Sequence, residues 1–274
     1  MVLPLGDLNG TRITPVVTYT LIVMNVVIFL VQLQRGDAFT MAYAATPWEI
    51  THNQDLEQPV VRPPQVVRIQ DPRDPMGRRM IEVAQPPSVI PHAPAGIPVW
   101  LTLLTAMFLH GSPMHLIGNM LYLWIVGDNV EEVLGSVRYI LVYLACGLVG
   151  SLAQIAANPQ SQIPTLGASG AIAGIMGAYL VWFPHNQIRV LIFRFITVLP
   201  ASIVIGGWIV LQIWLGAGSL NRLGETGGVA YLAHVGGAVT GILVGFLFYS
   251  RAEYVKAIDA HRRGWYPYIE DPGR

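Results

Sequence analysis

Four side chains able to act on an amide bond lie in otherwise apolar sequence: Ser169, His234, His115 and Asn119. A serine hydroxyl becomes a nucleophile when a base takes its proton, and a neutral histidine can do so near pH 7. Ser169 stands between glycines in Gly167-Ala168-Ser169-Gly170 at the head of an apolar run, and His234 is the one readily ionisable residue of the run 229–249. Attack on an amide carbon leaves an oxyanion, which needs donors already in place. His115 and Asn119 are four residues apart and so share one helix face, from which both can donate. The backbone N–H groups where the helix of Ser169 begins, grouped here with Gly167, supply further donors and the positive end of a helix dipole. No acidic residue is read as orienting His234, so the expected unit is a Ser169–His234 dyad rather than a triad.

The elements that must position these groups are membrane helices. The chain is 53% hydrophobic and 12% charged over 274 residues, against about 25% charged in an ordinary soluble domain. Net charge is zero and the basic residues form no dense cluster, which excludes nucleic acid as a partner. Cys146 is the single cysteine, so an internal disulfide and a multi-cysteine metal site are excluded. Apolar runs at 16–33, 113–133, 137–157, 169–183, 196–215 and 229–249 predict an all-α membrane protein with six spans. The fourth run has 15 residues before Pro184, about 22 Å of helix against a hydrocarbon core of about 30 Å. It therefore begins inside the membrane. Residues 165–167 then lie at depth without helical hydrogen bonds, which requires protein or a water-filled cavity around them. Ser169 is expected at the floor of a wet pit.

Spans two, four and six run in one direction, with their polar residues near the same end. His234 falls about 7 Å and Asn119 about 9 Å below their helix starts, so all four groups can meet in one layer. Below Ser169 come Ala173 and Gly177; below His234 come Ala238, Gly241 and Gly245. Such small-residue stripes let two backbones approach, which brings hydroxyl to imidazole. Each feature alone also has a structural reading, as helix packing or an interhelical hydrogen bond. A metal site of His110, His115 and His234 would leave the Gly-Ala-Ser-Gly turn unused and lacks an intramembrane carboxylate base. No metal or other cofactor is expected.

The chain divides into an N-terminus (1–15), a first span (16–34), an external loop (35–98), a core (99–250) and a tail (251–274). The first span is read as an uncleaved helix, being longer than the apolar stretch of a signal peptide. The loop is rich in proline, and its β-rich runs 65–70 and 79–83 suit either a hairpin or an irregular segment. Residues 99–109 are too few to span and read as partly immersed. Arg12, Arg138, Arg189, Arg194, Arg251, Lys256, Arg262, Arg263 and Arg274 fall on one side, which places both termini in the cytoplasm. Only Arg222 occupies a short loop on the other.

These motifs resemble the rhomboid family of intramembrane serine proteases. The matching residues are His110 and His115-x-x-x-Asn119, Gly167-Ala168-Ser169-Gly170, and Ala233-His234-x-Gly236-Gly237-x-x-x-Gly241, with Gly127, Glu131 and Gly135 resembling a further family pattern. The resemblance covers about 99–249. It implies a six-helix bundle with a short fourth helix, Ser169 and His234 as catalytic dyad, and His115 and Asn119 assisting the oxyanion. His110, Gly170, Glu131, Gly237 and Gly241 would be supporting structural residues. The implied partners are the lipid bilayer and single-pass or multi-pass membrane-protein substrates. The implied location is the plasma membrane of a prokaryote, with the active site opening outward. The alternative is a non-catalytic rhomboid-like factor that binds membrane proteins. Two departures stand out. Trp100 is followed by Leu101 rather than arginine, and Ala173 replaces an aromatic residue that stacks on the histidine in some members, so the His234 ring needs another neighbour to hold it.

Overall fold

The computed structural model describes residues 2–71, 73–74, 79–220 and 229–262. Arg222, Arg263 and Arg274 of the orientation argument lie outside the described residues. The chain opens with strand β1 (Val2–Asp7) and helix α1 (Val16–Arg35). Next come α2 (Asp37–Tyr43), α3 (Pro47–His52) and strands β2 (Val60–Arg62), β3 (Gln65–Gln70), β4 (Met80–Gln85) and β5 (Ser88–Ile90). Residues 99–108 form two 3-10 turns around the four-residue α4 (Thr102–Thr105). Then come α5 (Pro113–Leu134), α6 (Ser136–Ala157), α7 (Ser169–Trp182), β6 (Gln187–Ile192), β7 (Phe195–Pro200), α8 (Ala201–Leu220), α9 (Tyr231–Leu247) and α10 (Tyr249–Arg262).

Among the described residues, α1, α6 and Ala201–Gly218 are long and apolar enough to cross a membrane, with a fourth if α9 and α10, bent by 66° at their junction, count as one. α7 is too short by that measure, at 14 residues. α5 has the length but carries His115, Asn119, Asp128 and Asn129. The fifth apolar run starts later than its hydropathy suggests. Residues 195–200 are rich in β-branched side chains, which favour a pleated strand, and they pair with β6 before the helix begins at Ala201.

The interior is set by small residues. α7 is buried from Gly170 through Tyr179, as expected of a helix apolar on every side. A Cβ on Gly237 would overlap the carbonyl of Gly170, and one on Gly241 the carbonyl of Gly174. A Cβ on Gly150 of α6 would likewise crowd the Ala233 carbonyl, at 2.5 Å. Three helices thus meet backbone to backbone, where any larger side chain would force them apart. Trp182 closes the lower end of this contact by donating its indole N–H to the Gly245 carbonyl at 2.6 Å.

Glu131 fastens the periphery. Its fully buried carboxylate accepts from the backbone N–H of Val17 and Thr18, the Thr18 hydroxyl and the Ser136 hydroxyl, all at 2.8–3.0 Å. An anion at a helix N-terminus meets unpaired N–H groups and a favourable dipole, so one side chain of α5 anchors the starts of α1 and α6. On the same side, β1 pairs antiparallel with β6, and β6 with β7. Asp7 at the end of β1 accepts from the Tyr179 hydroxyl at 2.5 Å. The N-terminal strand is therefore stitched to the segment that joins α7 to α8.

Between α3 and the 3-10 turns, β2 pairs with β5 and β3 with β4, both antiparallel.

Candidate active site

α7 begins where the chain can no longer be extended. Gly167 has φ +129°, a region that favours glycine, and a Cβ there would sit 2.8 Å from His115 Cε1 and 2.9 Å from its Nε2. Glycine is required on both counts. Its N–H donates to the Ala106 carbonyl at 2.8 Å. This corrects its expected role: Gly167 shapes the turn beside His115 and offers no free donor of its own. The N–H groups that helix geometry leaves without an intrahelical partner are those ahead of Ile172, with Ser169 and Gly170 among them.

Ser169 Oγ lies 2.7 Å from His234 Nε2. On its other edge, His234 Nδ1 lies 2.8 Å from Oε1 of Gln212 in α8. Trp208, one turn earlier on α8, sets its ring 5.5 Å from the imidazole, centroid to centroid, at 38°. These are the neighbours the His234 ring needs in place of an aromatic at Ala173. In the sequence Gln212 is a polar residue within the apolar run 196–215, and nothing local to it names a partner. Its signal was faint: Gln212 falls on the buried stripe Ala201, Ile205, Ile209, Gln212, where an apolar residue would otherwise pack.

The expected oxyanion side chains stand on α5. Ser112 caps that helix by accepting the His115 N–H at 3.1 Å. The ring nitrogen Nδ1 of His115 accepts from the Gly111 N–H at 3.5 Å, which leaves the proton on Nε2 of the neutral ring, the nitrogen beside Gly167. Asn119 Nδ2 lies 2.9 Å from His110 Nε2, and an amide nitrogen can only donate there. Its second N–H remains for the cavity. His110 is in turn held through its backbone by Gln32 of α1, which donates to its carbonyl at 3.2 Å and accepts its N–H at 3.0 Å. His110 is 2% exposed and meets His115 edge to face at 5.1 Å. Gly170, Gly237 and Gly241 lie at the α7–α9 contact, while Glu131 sits at the opposite end of α5.

A cavity of about 740 Å³ joins these groups. Ser169, His234, His115, Asn119 and Trp208 line it on the helix side, and Pro47, Ser161 and Thr165 line it at its other end. Among the described residues no three His, Cys, Asp or Glu side chains cluster in a way that could hold a metal ion. A hydroxyl, a base and donors converging on one cavity can support acyl transfer.

Residues 98–251 match the family model of the rhomboid domain. The chain belongs to the rhomboid family. It is 36% identical over 143 residues to a protein named rhomboid protease GluP of Bacillus subtilis, covering 52% of this chain and 25% of that protein. It is 30% identical over 153 residues to the mitochondrial rhomboid protein 1 of Saccharomyces cerevisiae, covering 53% and 41%. It is 34% identical over 171 residues to the RHOMBOID-like protein 4 of Arabidopsis thaliana, covering 62% and 37%. The rhomboid chain described here thus spans less than half the length of these relatives. Family membership and the apolar helices together make it an integral membrane protein.

Proposed function

We propose that this chain is an intramembrane serine endopeptidase that hydrolyses peptide bonds in or near the membrane-spanning segments of other proteins. The observation that carries the reading is the 2.7 Å approach of Ser169 Oγ to His234 Nε2 at the floor of a cavity among apolar helices. His234 takes the proton as Ser169 attacks the amide carbon. The resulting oxyanion is met by the Ser169 N–H, Asn119 Nδ2 and His115 Nε2. His234 then protonates the leaving amine, and a water molecule activated by the same imidazole hydrolyses the acyl-enzyme. Each such donor is worth about 3 kcal/mol of barrier.

The proposed fold is the six-span bundle, with α1, α5, α6, α7, α8 and α9 as spans and α7 as the short one. Both termini lie in the cytoplasm and the cavity opens on the opposite face. A helix hides its amide bonds, so preferred substrates carry glycine, alanine or other helix-weakening residues near their outer end. The test uses the purified chain in lipid with a model single-span substrate. The parent is expected to cleave, while Ser169→Ala and His234→Ala are not. Cleavage by either variant overturns the dyad, and a folded, inactive parent favours a binding factor.

A further inference from the structure

We infer that Gln212 is a positioning residue for the dyad, selecting the one tautomer of His234 that can act as base. The inference rests on the protease reading above and adds a third member to it.

A neutral imidazole carries its proton on either ring nitrogen, and the two forms are close in energy until a neighbour chooses between them. Only the form with the proton on Nδ1 leaves a lone pair on Nε2, facing the Ser169 hydroxyl 2.7 Å away. Gln212 Oε1 sits 2.8 Å from Nδ1, and an amide oxygen accepts but cannot donate. With this contact in place, the proton belongs on Nδ1. The remaining freedom of the ring is rotation about its bond to Cβ. The indole of Trp208 limits that rotation, at 5.5 Å from the imidazole. Trp208 and Gln212 are four residues apart on α8, so they reach His234 from one helix face.

The placement of Gln212 argues for a task beyond packing. Its neighbours Val210, Leu211, Ile213 and Trp214 are exposed on the outer surface of an apolar helix, while Gln212 is 7% exposed on the inward stripe. A polar side chain within a membrane span is costly and calls for a partner, and the partner here is the edge of the base opposite the nucleophile. An aspartate in that position would hold the ring more strongly. A neutral amide performs the same selection without placing a charge inside the membrane.

The test compares Gln212→Met, of similar length but without an amide, with Gln212→Glu, which keeps an oxygen acceptor. Both are measured beside the parent and Ser169→Ala in the full chain in lipid, with one model substrate. Gln212→Met is expected to lower kcat by about tenfold to a hundredfold with KM within about twofold, and Gln212→Glu to restore most of it. Nitrogen-15 NMR of histidine-labelled protein, with His234→Ala to assign the signal, is expected to show the parent's His234 protonated on Nδ1. An unchanged kcat in Gln212→Met, an equal loss in Gln212→Glu, or a parent His234 protonated on Nε2 overturns the inference. The parent NMR result stands even if Gln212→Met fails to fold. A parent that does not cleave, or an active Ser169→Ala, instead overturns the protease reading.

Discussion

Ala45 and Thr165 pair backbone to backbone across 120 residues of sequence. Each N–H donates to the other's carbonyl, at 2.9 and 2.8 Å, and the Thr165 hydroxyl adds a third bond to Ala45 at 2.8 Å. Two residues beyond Thr165 the Gly167 N–H is fixed by Ala106, and two beyond that is Ser169. The stretch between α1 and the 3-10 turns is thus a brace on the segment that leads into Ser169. Trp48, whose N–H donates to Ser161 at 2.9 Å, extends the brace.

Ala45→Pro removes one of these donors and is expected to lower cleavage by about tenfold or more. The lost hydrogen bond is worth only about 1 kcal/mol, whereas a shift of about 1 Å at a reacting group costs about a hundredfold. Thr165→Val, which loses only the hydroxyl, is expected to stay within about threefold. The measurement is cleavage of one model substrate, with the β3–β4 hairpin between Arg62 and Ser88 replaced by a short Asn-Gly turn as a control. The two strands of that hairpin pair with each other and, among the described residues, with no further strand, so its removal is expected to leave the rate unchanged. Equal losses in the hairpin replacement and Ala45→Pro would contradict the brace.

Asn119→Ala leaves Ser169 and His234 unaltered and removes one of the donors proposed for the oxyanion. Turnover is expected to fall about tenfold to a thousandfold, with covalent labelling of Ser169 retained. Parallel rate and labelling measurements check it; an unchanged rate would leave Asn119 only its contact with His110.

How far this arrangement was legible in the sequence depended on distance along the chain. The turn at Ser169, the His115–Asn119 spacing and the stripe at Gly237 and Gly241 are local patterns, readable because a helix has a fixed rise and period. The pairing of β1 with β6 links Val2 to Ile192, and that of Ala45 with Thr165 links a Pro-rich stretch to a loop. Neither leaves a local mark. Gln212 was visible as a polar residue in an apolar run, yet its partner lies 22 residues away across an interhelical contact. Gly167 shows the reverse difficulty. Its position in the motif was plain, but whether it serves by its N–H or by its lack of Cβ depends on Ala106 and His115.

Gly241→Leu tests the α7–α9 contact apart from the chemistry. A Cβ there would overlap the Gly174 carbonyl, whereas one on Gly207 of α8 meets nothing within 4 Å. Leucine is favourable in hydrocarbon, so both variants should insert. Gly241→Leu is expected to lose about a hundredfold in cleavage through displacement of the dyad, and Gly207→Leu about twofold or less. Measuring both in membranes with equal protein amounts checks the contrast.

The stretch that holds α3 should show its own pH dependence through Glu49. Burial pushes the Glu49 carboxyl above its ordinary value, against the lowering effect of the Leu56 N–H that it accepts. A carboxyl whose folded pKa is raised contributes stability that is fully present below its unfolded value and is lost as pH rises through the folded one. His92, 3.7 Å away, is held below its usual value by burial and so is neutral at pH 7, unable to offset the carboxylate charge. Glu49→Gln is therefore expected to slow hydrogen exchange in residues 45–56 at pH 8 and to leave it unchanged at pH 4. Faster exchange at pH 8 would show that the charged form is the stabilising one.

The central claim is that Ser169 is a nucleophile because His234 is its base. Its most direct measurement maps, by tandem mass spectrometry, the residue carrying the adduct after the lipid-reconstituted chain reacts with a fluorophosphonate. The expected result is an adduct on Ser169 in the parent, and at most a trace on Ser169 in His234→Ala. An adduct confined to another residue, or labelling of Ser169 at the parent's rate without His234, would contradict it.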